Sequence, residues 1–329
     1  ANTRLLLNRL TIDLACQSNL WKNIAIKGRI DPNLFTIKGQ LDVTLFNPKV
    51  LIDYLFPDTG LKVSTAGINL NLDFKSDKHH ALHAKVKSHG SHLAVLHQNE
   101  SFAIQAKSLI CKLNLDEEKT EVSLSKLVMD YPKLRASGQF LLNRMVNQTS
   151  LDIDLKKADV GSTRKVALAL AGTSGITKDI FDIIKGGNIP EITFKTFGKS
   201  PADLGKLENI FLRGRLRDGN IFVPTARLDL KDVNGSVTLS NGILAGENIK
   251  VRLGNSVGTS GILELGFEKD IPFYVETIIQ ADLAQLPQIL KRLITNQPFL
   301  QELSQIEKVS GSALGKMVLD GNTESVEVG

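Results

Sequence analysis

The chain has 329 residues, which by length is either two ordinary domains or one large all-β unit. Its composition, 42% hydrophobic and 23% charged, excludes a disordered chain. Forty basic residues against 35 acidic ones give a net charge of +5. That surplus demands no nucleic acid, and no run of Lys and Arg forms a phosphate-binding stripe along the sequence.

From the N-terminus, apolar and polar residues alternate with period two, the signature of half-buried strands. Leu10, Ile12 and Leu14 oppose Thr11 and Asp13, and Phe35 to Leu45 continue the pattern against Thr36, Lys38, Gln40, Asp42 and Thr44. Ile68, Leu70, Leu72 and Phe74 follow, then Leu109, Cys111, Leu113 and Leu115, then Leu151, Ile153 and Leu155. A helix is predicted at Pro48 to Phe56 and another at Thr177 to Lys185, stopped by Gly186-Gly187. Alternation resumes around Leu228, Val237, Ile249 and Val275. Asp218-Gly219, Asn234-Gly235, Asn241-Gly242 and Gly254-Asn255 supply the positive φ that tight hairpin turns need. Near the end, Asp282 is placed to cap a first turn. Pro287 opens a helix carrying Leu290, Leu293 and Ile294, and Pro298 opens one carrying Leu303 and Ile306. A strand pair around Ala313 to Leu319 closes the chain.

Such alternation means antiparallel strands with one apolar and one wet face. The predicted class is mainly β: a long, twisted antiparallel sheet curled into a hydrophobic groove, or a partly closed sandwich or barrel, with a few short helices. The few helices cannot cover so many strands, so the sheet packs on itself or leaves an apolar trough for an apolar ligand. A seam is placed between a β-rich segment at 1–185 and a second β domain at 186–329 with a helical insertion near 282–307, the two possibly forming one continuous unit. No window of 18 uninterrupted apolar residues spans a bilayer as a helix. The chain starts at Ala1 without a secretory leader, so it reads as part of a longer protein whose anchor lies elsewhere.

Three stretches carry a family resemblance. "LRGRLRDGNIFVP" (212–224) is strand, Asp-Gly, strand and proline; "LKDVNGSVTLSNGILAGENIKVRLGNS" (230–256) repeats a glycine-punctuated hairpin rhythm; "DLAQLPQILKRL" (282–293) is a short helical insertion. In this order and spacing the segment 186–320 resembles the AsmA-like family of bacterial envelope proteins. The resemblance implies a non-enzymatic periplasmic segment, tethered to the inner membrane by parts outside this chain. It would bind and transfer phospholipid in support of outer-membrane biogenesis, with other envelope proteins as possible partners and no cofactor or nucleic acid. On that reading the lipid-contact candidates are Leu228, Leu230, Val237, Leu239, Ile249, Val251, Leu253, Leu263, Leu265 and Phe267; each is equally readable as an ordinary core residue. The alternative is a periplasmic scaffold that assists outer-membrane protein assembly without carrying lipid, filling the same face with its own side chains.

Catalytic signatures are missing: there is no G-x-S-x-G, H-E-x-x-H, P-loop or strand-borne G-x-G-x-x-G. All six histidines fall between 79 and 97. With a turn near Ser88 to Gly90, His83 and His97 would meet across a hairpin as weak metal candidates. Lys85 and Lys87 share the face of His83, which argues for a solvated strand face, and no metal is assigned. Cys16 and Cys111 allow one disulfide by count alone, and small buried hydrophobes fit equally. Asp116 to Glu118 read as a solvated turn, and Asp152 and Asp154 as wet-face carboxylates. "KVKSHG" and "LRGRLRDG" are basic without an aromatic to stack a base.

Overall fold

A computed structural model describes every residue except 1, 7–8, 50–61, 79–80, 98–99, 172–174, 224–226, 267–271, 294–295, 307, 323–324 and 329. The predicted helix at Pro48 to Phe56 falls almost wholly outside those residues, as do Phe267 and Ile294. The chain divides into two units, Ala1–Ala158 with Thr193–Asn209, and Asp159–Ile192 with Ile210–Gly329.

The first unit is an antiparallel meander. It runs β1 (Asn2–Leu6), β2 (Arg9–Ser18), β3 (Trp21–Asp31), β4 (Thr36–Phe46) and β5 (Lys62–Ser76). It continues through β6 (Leu82–His97), β7 (Glu100–Leu115), β8 (Lys119–Tyr131), β9 (Leu134–Asn143) and β10 (Gln148–Asp159). Each strand from β1 to β10 pairs with the next. Among the described residues no pairing returns from β10 to β1, so this sheet is open and not a barrel. The remaining described elements of the unit are two 3₁₀ turns, Pro201–Gly205 and Leu207–Asn209, and the end of β11 (Ile184–Gly198).

The second unit holds helices α1 (Val160–Ala171) and α2 (Gly175–Ile183), the start of β11, and a further antiparallel meander. Its strands are β12 (Ile210–Val223), β13 (Leu228–Ser240), β14 (Ile243–Leu253), β15 (Ser256–Gly266), β16 (Pro272–Asp282), β17 (Ser312–Asn322) and β18 (Ser325–Val328). Helices α3 (Leu286–Leu293) and α4 (Gln297–Ser304) fill the β16–β17 connection. They start where their prolines predict. Asn296 Oδ1 accepts the Phe299 N–H at 3.0 Å and caps α4, and Asp282 Oδ1 accepts the Ala284 N–H at 3.0 Å.

Four local expectations are corrected. Helix α2 ends at Ile183 and the chain passes directly into β11, so Gly186-Gly187 lie in a strand and do not stop the helix. Helix α1 was not anticipated; its signal is Asp159, whose Oδ1 accepts the Ser162 N–H at 2.7 Å as an N-cap. Asn241-Gly242 and Gly254-Asn255 do make turns, but Asp218-Gly219 and Asn234-Gly235 lie inside β12 and β13. There, Asp218 and Asp232 take positive φ within the strands, as do Asn248 in β14 and Ser260 in β15, next to register shifts. An extra residue with positive φ makes a bulge in a strand as readily as it makes a turn.

These bulges keep the faces sorted. In β14 the inward positions are Leu244 and Gly246 before Asn248, then Ile249, Val251 and Leu253 after it. The parity of the alternation changes at the bulge, so one face stays apolar along the whole strand. The same switch occurs in β12 at Asp218 and in β15 at Ser260.

Candidate apolar binding face

The register of the first unit turns its alternation into rows. Leu14 lies opposite Ile26, which lies opposite Leu41, then Leu72, Val86, Cys111, Leu124, Gly138 and Ile153. Ile12, Gly28, Gly39, Phe74, Ala84, Leu113, Val122, Phe140 and Leu151 form the next row on the same face. Each row crosses nine strands, about 38 Å of sheet at ~4.8 Å per strand. Every member of both rows is half-buried. Among the described residues, the buried apolar side chains of this unit are Val43, Val63, Val95, Phe102 and Ala158. The two rows shield one another sideways, and among the described residues of this unit no second layer of strands or helices lies over them.

Surface area supports the same conclusion. The chain exposes 20986 Å². Two separate compact globules, each half of its mass, would together expose about 16,000 Å².

The ten candidates from the sequence lie in the second unit and fall into two groups. Leu239 is opposite Leu244 and Leu244 opposite Leu265, with Leu212 completing the row. Val237, Gly246 and Leu263 form the neighbouring row. Beyond the bulges lie Leu228 opposite Val223, Leu230 opposite Ile221, Ile249 opposite Gly261, Val251 opposite Gly258 and Leu253 opposite Ser256. Leu228 is buried, at 9% exposure; the other described members are half-buried. Phe267 lies outside the described residues.

Ile249 has a distinct environment. A Cβ on Gly246 would lie 2.8 Å from its Cδ1, one on Gly261 2.9 Å from its Cβ, and one on Gly235 3.2 Å from its Cγ1. Three glycines thus make a hollow that Ile249 fills, so this part of the second unit packs against itself. Val160, Val166, Val233, Ala281 and Leu303 are also buried here. Arg164 Nε donates to the Phe181 carbonyl at 3.0 Å and ties α1 to α2.

The sequence reasoning drew its contacts from the segment that carries the family resemblance and missed the first-unit rows. The signal for them was the same period-two alternation, combined with the register.

The polar candidates resolve as follows. β6 runs unbroken from Leu82 to His97, through Gly90 at φ +59. His83 and His97 therefore stand on one strand, 14 steps or about 46 Å apart, and do not meet across a hairpin. Among the described residues no cluster of three or more His, Cys, Asp or Glu is placed to hold a metal. His83 Nδ1 bonds Asn114 Oδ1 across the strands at 2.8 Å. Cys16 and Cys111 are both free, and burial pushes the Cys111 thiol up. Asp116 Oδ1 accepts the Glu118 and Lys119 N–H groups and shapes the β7–β8 turn. Asp154 accepts the Thr193 hydroxyl at 2.7 Å. On the wet face of β16 and β17, Glu276 is bonded by Lys316 and by the Tyr274 hydroxyl. Lys316 chiefly, with Tyr274, holds its carboxyl below the usual range, and the bond to Glu276 raises the Tyr274 phenol.

No family model, characterised protein or solved structure matches the chain.

Proposed function

We propose that the chain is the lipid-binding segment of an AsmA-like, inner-membrane-tethered periplasmic protein, holding phospholipid acyl chains against its apolar sheet face during transfer towards the outer membrane. The observation that carries this reading is the pair of apolar rows nine strands wide that no second layer covers among the described residues of the unit. Removing a 16-carbon acyl chain from water is worth on the order of 13 kcal/mol at ~0.8 kcal/mol per methylene. A face of Leu, Ile, Val and Phe supplies that without specific contacts, while the headgroup stays in solvent. Soluble proteins rarely leave apolar patches of this extent bare without a ligand.

The test is native mass spectrometry with lipid extraction on the chain purified without detergent. Bound phospholipid, lost on Leu41→Asp with Leu72→Asp while circular dichroism stays unchanged, is the expected result. A lipid-free chain that resists protease would favour the scaffold reading. One observation does favour that second reading: the glycine hollow filled by Ile249, where the face is occupied by the chain's own side chain.

A further inference from the structure

The wet face of the first unit carries a feature that the linear sequence hides. Arg29 lies directly opposite Lys38, Lys38 opposite Lys75, and Lys75 opposite His83, across β3 to β6. Lys85 lies opposite Lys112 on β6 and β7 in the adjoining wet row, two residues along the strand from His83. Like charges directly opposite one another on a sheet are destabilising, and they are rare unless something compensates. Among the described residues, no carboxylate lies within ion-pair distance of Arg29, Lys38 or Lys75, and all three are exposed. Asp73, in the wet row on one side of the ladder, pairs with Lys87 at 3.9 Å, and Asp31 lies opposite Thr36 in the wet row on the other side. In the second unit, by contrast, Arg215 pairs with Glu191, Arg252 with Asp232 and Lys316 with Glu276.

The two wet rows flank a depression of about 790 Å³, within the ~300–1,000 Å³ usual for ligand sites. Backbone at Gly28 and Gly39 lies between the rows. Six Lys and Arg side chains and two Asp line it, a surplus of four positive charges, where the whole chain has a surplus of five. The fold therefore gathers almost all of the net charge into one concavity, although no basic run exists in the sequence. The lining presents N–H donors from flexible lysine stems and one arginine fork, the donor set for oxyanions. Its single aromatic, Phe74, belongs to a row of the opposite face, so nothing here stacks a base.

We propose that this depression binds phosphate-type oxyanions of more than one negative charge, presented either by a phosphorylated lipid headgroup or as a free anion. The site lies on the face opposite the apolar rows and stands independently of the acyl-chain reading.

The experiment uses the full chain at low salt, with pyrophosphate titrated calorimetrically and with vesicles of neutral or of phosphatidate-containing lipid in flotation. Expected are pyrophosphate binding that weakens steeply with salt, and a loss of about tenfold or more in Lys38→Gln with Lys75→Gln. A control, Lys22→Gln with Lys156→Gln, should stay within about twofold. Without anion, the Lys38→Gln/Lys75→Gln protein should melt at or above the parent temperature, because it has lost two like-charged neighbours. Phosphatidate vesicles that bind and are displaced by pyrophosphate identify a headgroup as the source; pyrophosphate binding without vesicle binding identifies a free anion. Binding of neither probe, equal weakening in both double variants, or a lower melting temperature in the ladder variant overturns the proposal.

Discussion

The two units use the same alternating strands to different ends. In the first, apolar rows run from β2 to β10, interrupted at Gly28, Gly39 and Gly138, and among the described residues of the unit no second layer lies over them. In the second, Gly235, Gly246 and Gly261 make a hollow that Ile249 fills, and Val160, Val166 and Leu303 of its helices are buried. The wet faces carry ion pairs in both units, such as Lys87 with Asp73 in the first and Arg252 with Asp232 in the second, but among the described residues the ladder at Arg29, Lys38 and Lys75 has none. On the proposed reading, the open rows and the unpaired ladder of the first unit are what its ligands would compensate.

That contrast is open to attack, beginning with the largest effect. Leu41→Asp with Leu72→Asp, two residues directly opposite each other, should cut bound phospholipid by an order of magnitude or more. Val237→Asp with Leu263→Asp should cut it only a few-fold. Native mass spectrometry reads both, and equal losses would erase the distinction between the units. Next, Ile249→Ala should cost about 2–3 kcal/mol in urea unfolding because its hollow cannot collapse around three glycines. Leu72→Ala should cost about 1 kcal/mol, since its side chain leaves no enclosed cavity. A reversed order would mean that the first-unit row is the packed one. Arg252→Ala, which breaks a 2.6 Å pair with Asp232 on an exposed face, should cost less than about 1 kcal/mol in the same assay.

The smallest effect is confined to acid. Lys206 first, with Ser200, holds the Asp203 carboxyl at about 2, below its ordinary 3.8. A carboxyl depressed in the folded state stabilises fully above its unfolded value, and that contribution disappears as pH falls through the folded one. Asp203→Asn should therefore flatten the acid limb of the stability curve below the ordinary carboxylate range and leave neutral pH almost unchanged. Unfolding curves recorded through that limb check it.

How much of this could be read in advance follows from what each signal depends on. Strand alternation at Leu70, Leu72 and Phe74, and the proline-opened helices at Pro287 and Pro298, rest on neighbours in sequence, and they were legible. Asp218-Gly219 was read as a turn because a bulge and a turn ask the backbone for the same positive φ, which Asp218 takes; Asn234-Gly235 lies in β13 without it, the positive φ there falling at Asp232. Gly90 suggested a turn for the same reason, yet β6 carries it within a continuous strand. The charge ladder was illegible in principle. Arg29, Lys38 and Lys75 are scattered along 47 residues of sequence, and only register sets them side by side. The apolar rows of the first unit were half legible: their members showed, but their continuity across nine strands is again a property of register.

The most direct test of the central claim uses the period of the strand itself. A photoreactive residue is placed in turn at Leu72, Asp73, Lys85 and Val86 in the full chain, which is then loaded with labelled phospholipid and irradiated. An acyl-binding face predicts label at position 72 and at Val86, and little at 73 or Lys85, because successive side chains point to opposite faces. Equal labelling at all four positions, or none at any, would contradict it.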